Sequence, residues 1–265
     1  MECQDTIRSL KINFKKNIYT IVLVVEGAKY EFDLFKQIFR NILHYKLITK
    51  SRNDAEFKEY NEFVMRDNEQ SKIIIINTSN SNIGSISDGD DYRNELYKIL
   101  YEKYGIDIKN VPVYYIWDRD QESNPSEVTK DLLENLSNPY ENDNYENGLL
   151  LLSYPCCESY TITNFEKNKR HLEEDAKEYV KDNGYELRKI NRYTIQMAVL
   201  EMMKSLDRIN VKYDNTDSYF NIDDMKNINL STFNAEEKIF EKKGYYELLS
   251  FISVIFIDLG IITFR

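Results

Sequence analysis

Histidine is almost missing from this chain: its 265 residues include two, His44 and His171. Three-histidine zinc sites are thereby excluded and histidine-based nucleophile triads nearly so, which leaves hydrolytic chemistry to carboxylates and a metal ion. Cysteine is scarce as well. Three are present, two of them adjacent (Cys156 and Cys157), and they offer neither a disulfide framework nor a C-x-x-C metal spacing. Eight glycines and four prolines are too few for a loop-rich scaffold and favour long regular elements. No run reaches the ~20 apolar residues of a membrane span; the nearest, 248–264, is interrupted by Asp258. The opening residues, MECQDTIRSLKINFKKN, hold no apolar core of a secretion signal. A cytoplasmic, thiol-reduced protein with no membrane partner is therefore expected. A P-loop is absent too, which argues against ATP hydrolysis by this chain. Positive charge is outweighed, with a net charge of −10. That excludes a protein that coats nucleic acid non-specifically, but not an enzyme meeting phosphates through a divalent metal and a local basic patch.

Against these absences stand a hydrophobic content of 42%, 21 tyrosines and 13 phenylalanines, ample for a core. The length suits one large domain, or a medium one with an appendage. Ile21-Val22-Leu23-Val24-Val25 reads as a strand covered on both faces, because four of its five residues are β-branched. It stops on Glu26 and Gly27, and helical spacing resumes over 30–45 (Phe32, Phe35, Ile38, Phe39, Ile42, Leu43). Residues 46–70 carry a weaker helical pattern (Phe57, Tyr60, Phe63, Val64). Further strands are expected at 72–77, 112–117 and 149–152, with helices over 92–104 and from Pro125 to about Leu136. This alternation predicts an α/β fold, a mainly parallel sheet flanked by helices. Beyond Pro155 charged helical patterns dominate. Residues 1–165 are thus expected to form the α/β domain and 166–265 a mainly helical C-terminal region.

Acidic residues follow three of the four strands: Glu26 with Glu31 behind it, the pair Asp118-x-Asp120, and Glu158. Open α/β sheets hold ligands at the carboxyl ends of their strands. If the strands are neighbours, Glu26, Asp118 and Asp120 converge on one sheet edge. Hard oxygen donors suit Mg²⁺ or Mn²⁺, and a cation lets crowded carboxylates stay ionised. A plain acidic turn is the competing account of D-x-D taken alone.

Together, V-E-G-x-x-x-E, a D-x-D behind a strand, and Ser153-Tyr154-Pro155-Cys156-Cys157-Glu158 resemble the RloB/AbiLii-type proteins of the Toprim superfamily. That group is in turn similar to the Toprim nuclease half of the OLD family, found in phage-defence and abortive-infection systems. The resemblance spans roughly residues 18–165. It implies a Rossmann-like Toprim domain in which Glu26 is a general acid/base or metal ligand. Asp118 and Asp120 would hold Mg²⁺ or Mn²⁺, and Glu31 and Glu158 would complete the acidic site. It also implies an ATPase partner protein.

Residues 167–192 interleave Lys167, Lys169, Arg170, Lys181, Arg188, Lys189 and Arg192 with Tyr179 and Tyr185. This is the chain's best candidate for a nucleic-acid groove, the alternative being a solvated helical face. The serine- and asparagine-rich stretch 78–91 reads as a lid, a phosphate contact or a connector. The tail 245–265 is too apolar to be exposed and is expected in a core, with an oligomer interface as the second option. The leading expectation is a metal-dependent nuclease acting on DNA or RNA. The alternatives are a non-cleaving Mg²⁺-binding or nucleic-acid-binding subunit and, less favoured, a nucleotidyl transferase.

Overall fold

A parallel strand buried on both faces needs apolar residues without alternation, and the central strand of this protein meets that condition. In the computed structural model, which describes residues 10–27, 29–52, 57–78, 97–102, 104–106, 111–121, 124–140, 148–213 and 221–264, Ile21–Val25 are fully buried. The chain divides into two compact units, Asn17–Leu150 and Met1–Lys16 together with Leu151–Arg265. This division falls inside the strand Gly148–Tyr154.

The first unit is α/β. Its elements are β2 (Thr20–Val25; β1 lies in the other unit), α1 (Tyr30–Lys36), β3 (Tyr45–Arg52), β4 (Phe57–Met65) and β5 (Asn68–Thr78). A helical stretch at 97–102, α2, follows, then β6 (Val113–Asp118), α3 (Ser126–Asn135), β7 (Ser137–Asn138) and the start of β8 (Gly148–Tyr154). The sheet order is β3-β4-β5-β2-β6-β8-β7. β2 lies between two parallel neighbours, with Val24 opposite Ile76 of β5 and Val25 opposite Ile116 of β6.

The sheet is mixed, with parallel pairing at its centre. β3, β4 and β5 form an antiparallel meander, where a helical pattern had been read over 46–70. Both faces of β4 are covered: Phe63 packs near Phe39 of the turn that extends α1, and Tyr60 stacks on Tyr104 at 4.2 Å. A strand buried on both sides loses its polar alternation, and the remaining three-residue spacing of Tyr60 and Phe63 imitates a helix.

The second unit holds β1 (Leu10–Ile12), the rest of β8, α4 (Glu158–Phe165), α5 (Ala176–Asp182), α6 (Arg192–Arg208) and α7 (Met225–Lys243). It ends with β9 (Leu249–Ser250), α8 (Ile252–Asp258) and β10 (Ile262–Phe264). Asn191 and Thr194 form a reciprocal capping box that starts α6. Gly244 ends α7 at φ 77°, the left-handed conformation glycine adopts without a Cβ penalty. The apolar tail is the core of this unit: Leu248, Leu249, Phe251, Ile252, Val254, Ile255 and Phe256 are all fully buried. Both of its ends are stitched into sheets, β9 to β8 and β10 to β1. No described helix is long and apolar enough to cross a membrane.

Candidate active site

β2 and β6 run parallel in adjacent positions, so their carboxyl ends, and the acidic residues on them, emerge side by side. Glu26 follows β2 and Asp118 is the last residue of β6. Both are half-buried. The Asp118 N–H donates to Glu26 Oε2 at 3.0 Å, which fixes one carboxylate against the backbone of the other residue. Charge-assisted bonds of this kind are about twice as strong as neutral ones.

Amide side chains secure the two strand ends. Asn77, at the end of β5, donates from Nδ2 to the carbonyls of Val25 at 3.0 Å and Glu26 at 2.5 Å. Asn124 donates from Nδ2 to the Asp118 carbonyl at 2.9 Å. Between the two aspartates, Arg119 turns inward and is fully buried. Its guanidinium donates to the Asn124 carbonyl at 2.7 Å and to Ser126 Oγ, in the first turn of α3, at 2.9 Å. The sequence pattern missed all three residues. The one available hint was Asn77, a polar residue closing an isoleucine run.

The other expected site residues are placed differently. Glu31 is buried in the first turn of α1, and its Oε1 accepts the Gly27 N–H at 3.1 Å. A Cβ on Gly27 would overlap that carboxylate, so the glycine is what allows the approach. Asp120 is exposed. Glu158 is buried at the start of α4, in the unit formed around Leu151–Arg265. Among the described residues, no group of three or more His, Cys, Asp or Glu side chains is arranged to hold a metal ion. Of the five carboxylates expected in one acidic site, Glu26 and Asp118 lie at adjacent strand ends of the first unit and are linked through the Asp118 N–H. A pair still fits Mg²⁺ by donor chemistry, because that ion is commonly held by one or two carboxylates, waters and substrate phosphates. Asn124 Oδ1, a buried carbonyl oxygen with no hydrogen-bond partner, is a hard donor of the same class.

The basic stretch in the second unit carries eight cations over 167–192, but six carboxylates are interspersed with them. Arg170 pairs with Glu247 at 3.4 Å, and both Arg188 and Lys189 pair with Glu186. Lys169 lies 4.5 Å from the centre of the Tyr179 ring. Tyr179 and Tyr185 both donate to Glu166 Oε1, at 2.5 and 2.7 Å. Burial and the neighbouring carboxylate raise both phenols above their ordinary range, which keeps them donors. Lys167, Lys181 and Arg192 are exposed. The stretch 78–91, from residue 79 onward, lies outside the described residues.

No family model matches this chain, and neither a curated protein nor a solved structure matches it.

Proposed function

We propose that this protein is a metal-dependent phosphodiesterase of Toprim type, a nuclease acting on DNA or RNA. The observation that carries the reading is the bond between the Asp118 amide and the Glu26 carboxylate, which joins two acids at the ends of adjacent parallel strands, where α/β sheets place their ligands. The V-E-G-x-x-x-E and D-x-D pattern on those same strands, and its resemblance to the RloB/AbiLii branch, supply the reaction class. Glu26 and Asp118 would hold Mg²⁺ or Mn²⁺. Bound there, the ion would lower the pKa of a water and offset charge on the scissile phosphate.

The chain's own residues do the rest. Asp118 supplies a carboxylate at the end of β6, on a backbone held at both its N–H and its carbonyl. Glu26 has one oxygen restrained by a backbone amide, so its carboxylate is pre-aimed to accept a proton from an attacking water. Asp120, exposed two residues beyond, is placed to meet solvent-borne substrate. On the same reading the protein is the effector of an anti-phage or abortive-infection system working with an ATPase partner.

A second reading is favoured by the absence, among the described residues, of any three-carboxylate group. On that reading the protein is a Toprim-fold Mg²⁺-binding or nucleic-acid-binding subunit that does not cut. Purified protein incubated with Mg²⁺ or Mn²⁺ and plasmid, single-stranded DNA and total RNA separates the two. The nuclease reading expects cleavage that is lost in Asp118→Asn and in Glu26→Gln. Equal cleavage by wild type and Asp118→Asn would end it. No cleavage by any form, with metal stabilisation still dependent on Asp118, would favour the binding subunit.

A further inference from the structure

The turn after β6 is held by a closed set of hydrogen bonds, and Asn124 is its common member. Its side-chain amide donates to the Asp118 carbonyl at 2.9 Å. Its backbone N–H donates to the Asp120 carbonyl at 2.9 Å, and its own carbonyl accepts from Arg119 at 2.7 Å. Both aspartates of the D-x-D are therefore tied to Asn124 through two of its groups, and Arg119 between them through a third. Asn124 is fully buried, and its Oδ1 has no hydrogen-bond partner. What distinguishes this side chain is its donor, aimed at the backbone of the residue whose N–H holds Glu26.

Building on the metal-dependent reading of this site, we propose that Asn124 is a positioning residue. By donating to the Asp118 carbonyl it fixes the peptide that follows Asp118 and so limits rotation of that residue, whose N–H, in the preceding peptide, meets Glu26 and whose carboxylate would stand in the cation site. Arg119 and Ser126 extend this clasp to the first turn of α3. Residues that orient metal ligands without touching the ion typically change its affinity by about 10–100-fold.

The test compares Asn124→Ala, Asn124→Asp and Ser126→Ala with wild type, in the full-length chain. The readouts are the melting temperature without metal and the Mn²⁺ concentration giving half of the metal-induced shift. Asn124→Asp is isosteric and, while ionised, cannot donate to the Asp118 carbonyl. Positioning by the donor predicts midpoints raised at least about tenfold in both Asn124 variants, measured from a metal-free melting temperature that is itself lowered by the lost buried hydrogen bond. Ser126→Ala, which trims the clasp at its helix end, predicts a smaller rise of about two- to threefold and keeps the inference testable should Asn124→Ala not fold. A wild-type midpoint in Asn124→Asp would overturn it, because the oxygen rather than the donor would then be what the site needs. Unchanged midpoints in all three variants would overturn it as well, while leaving the metal reading intact. If the wild type shows no Mn²⁺ response at all, both the metal reading and this inference fall together.

Discussion

Glu236, on α7, is a carboxyl buried to zero exposure in the second unit. Its Oε2 accepts the Glu247 N–H at 3.0 Å, and its Oε1 has no hydrogen-bond partner. Burial is the main force on it and pushes its pKa up to about 8; Glu247 and Glu237 push the same way, while the backbone bond and Arg208 oppose. An unfolded glutamate titrates near 4.3. Between these two values the folded protein keeps a proton that the unfolded chain has lost, so stability falls as pH rises through that window. It is flat below the window and flat again above it. The slope is about 1.4 kcal/mol per pH unit, or roughly 3 kcal/mol accumulated between pH 5 and pH 7.5. Glu236→Gln keeps the acceptor for the Glu247 amide and removes the titration. Its new amide N–H groups need acceptors, which sets a constant cost of about 1–3 kcal/mol if they go unmet. The absolute stabilities of the two proteins therefore do not decide the matter; their difference as a function of pH does. Urea unfolding followed by far-ultraviolet circular dichroism at pH 5, 6, 7 and 8 should show the variant gaining on the wild type by roughly 1 kcal/mol per unit up to about pH 7.5. Parallel pH profiles for the two proteins would refute the reasoning.

Two further expectations concern packing. Gly148 has φ 135°, and a Cβ there would overlap the Tyr115 ring. Gly148→Ala should cost roughly 2–4 kcal/mol in urea unfolding from backbone strain and overpacking together. Gly105→Ala, at φ 67° with open space around it, should cost only about 1 kcal/mol, and equal losses would show that the ring is not the obstacle. Truncation after Tyr246 removes ten buried apolar side chains, each worth about 1.5–3 kcal/mol, against a typical total stability of about 5–15 kcal/mol. The truncated chain should be insoluble or should lose the helical signal of its C-terminal unit; a soluble protein with an unchanged spectrum would show the segment to be dispensable.

Some of this molecule was legible in its sequence because the physics involved is local. A run such as Ile21–Val25 can be satisfied only by burial on both faces, so β2 announced itself. β5, β6 and β8 did so by the same logic, together with the acidic residues at the ends of β2 and β6. The tail was equally plain, since residues 248–264 are too apolar to face water, and they form the core of the second unit. Other features depended on partners distant in the chain. β4 has its faces covered by groups from outside the meander, Phe39 on one side and Tyr104 on the other, and this erased the alternation that marks a strand. The unit boundary depends on β1 pairing with β10 across almost the whole sequence. Which charges over 167–192 have acidic partners also depended on the fold, which sets Arg170 against Glu247. The amide of Asn124 has no signature in composition or periodicity, and Asn77 has only its place at the end of an isoleucine run. Their role exists only where a side-chain donor meets a strand-end carbonyl, and tertiary structure alone makes that meeting.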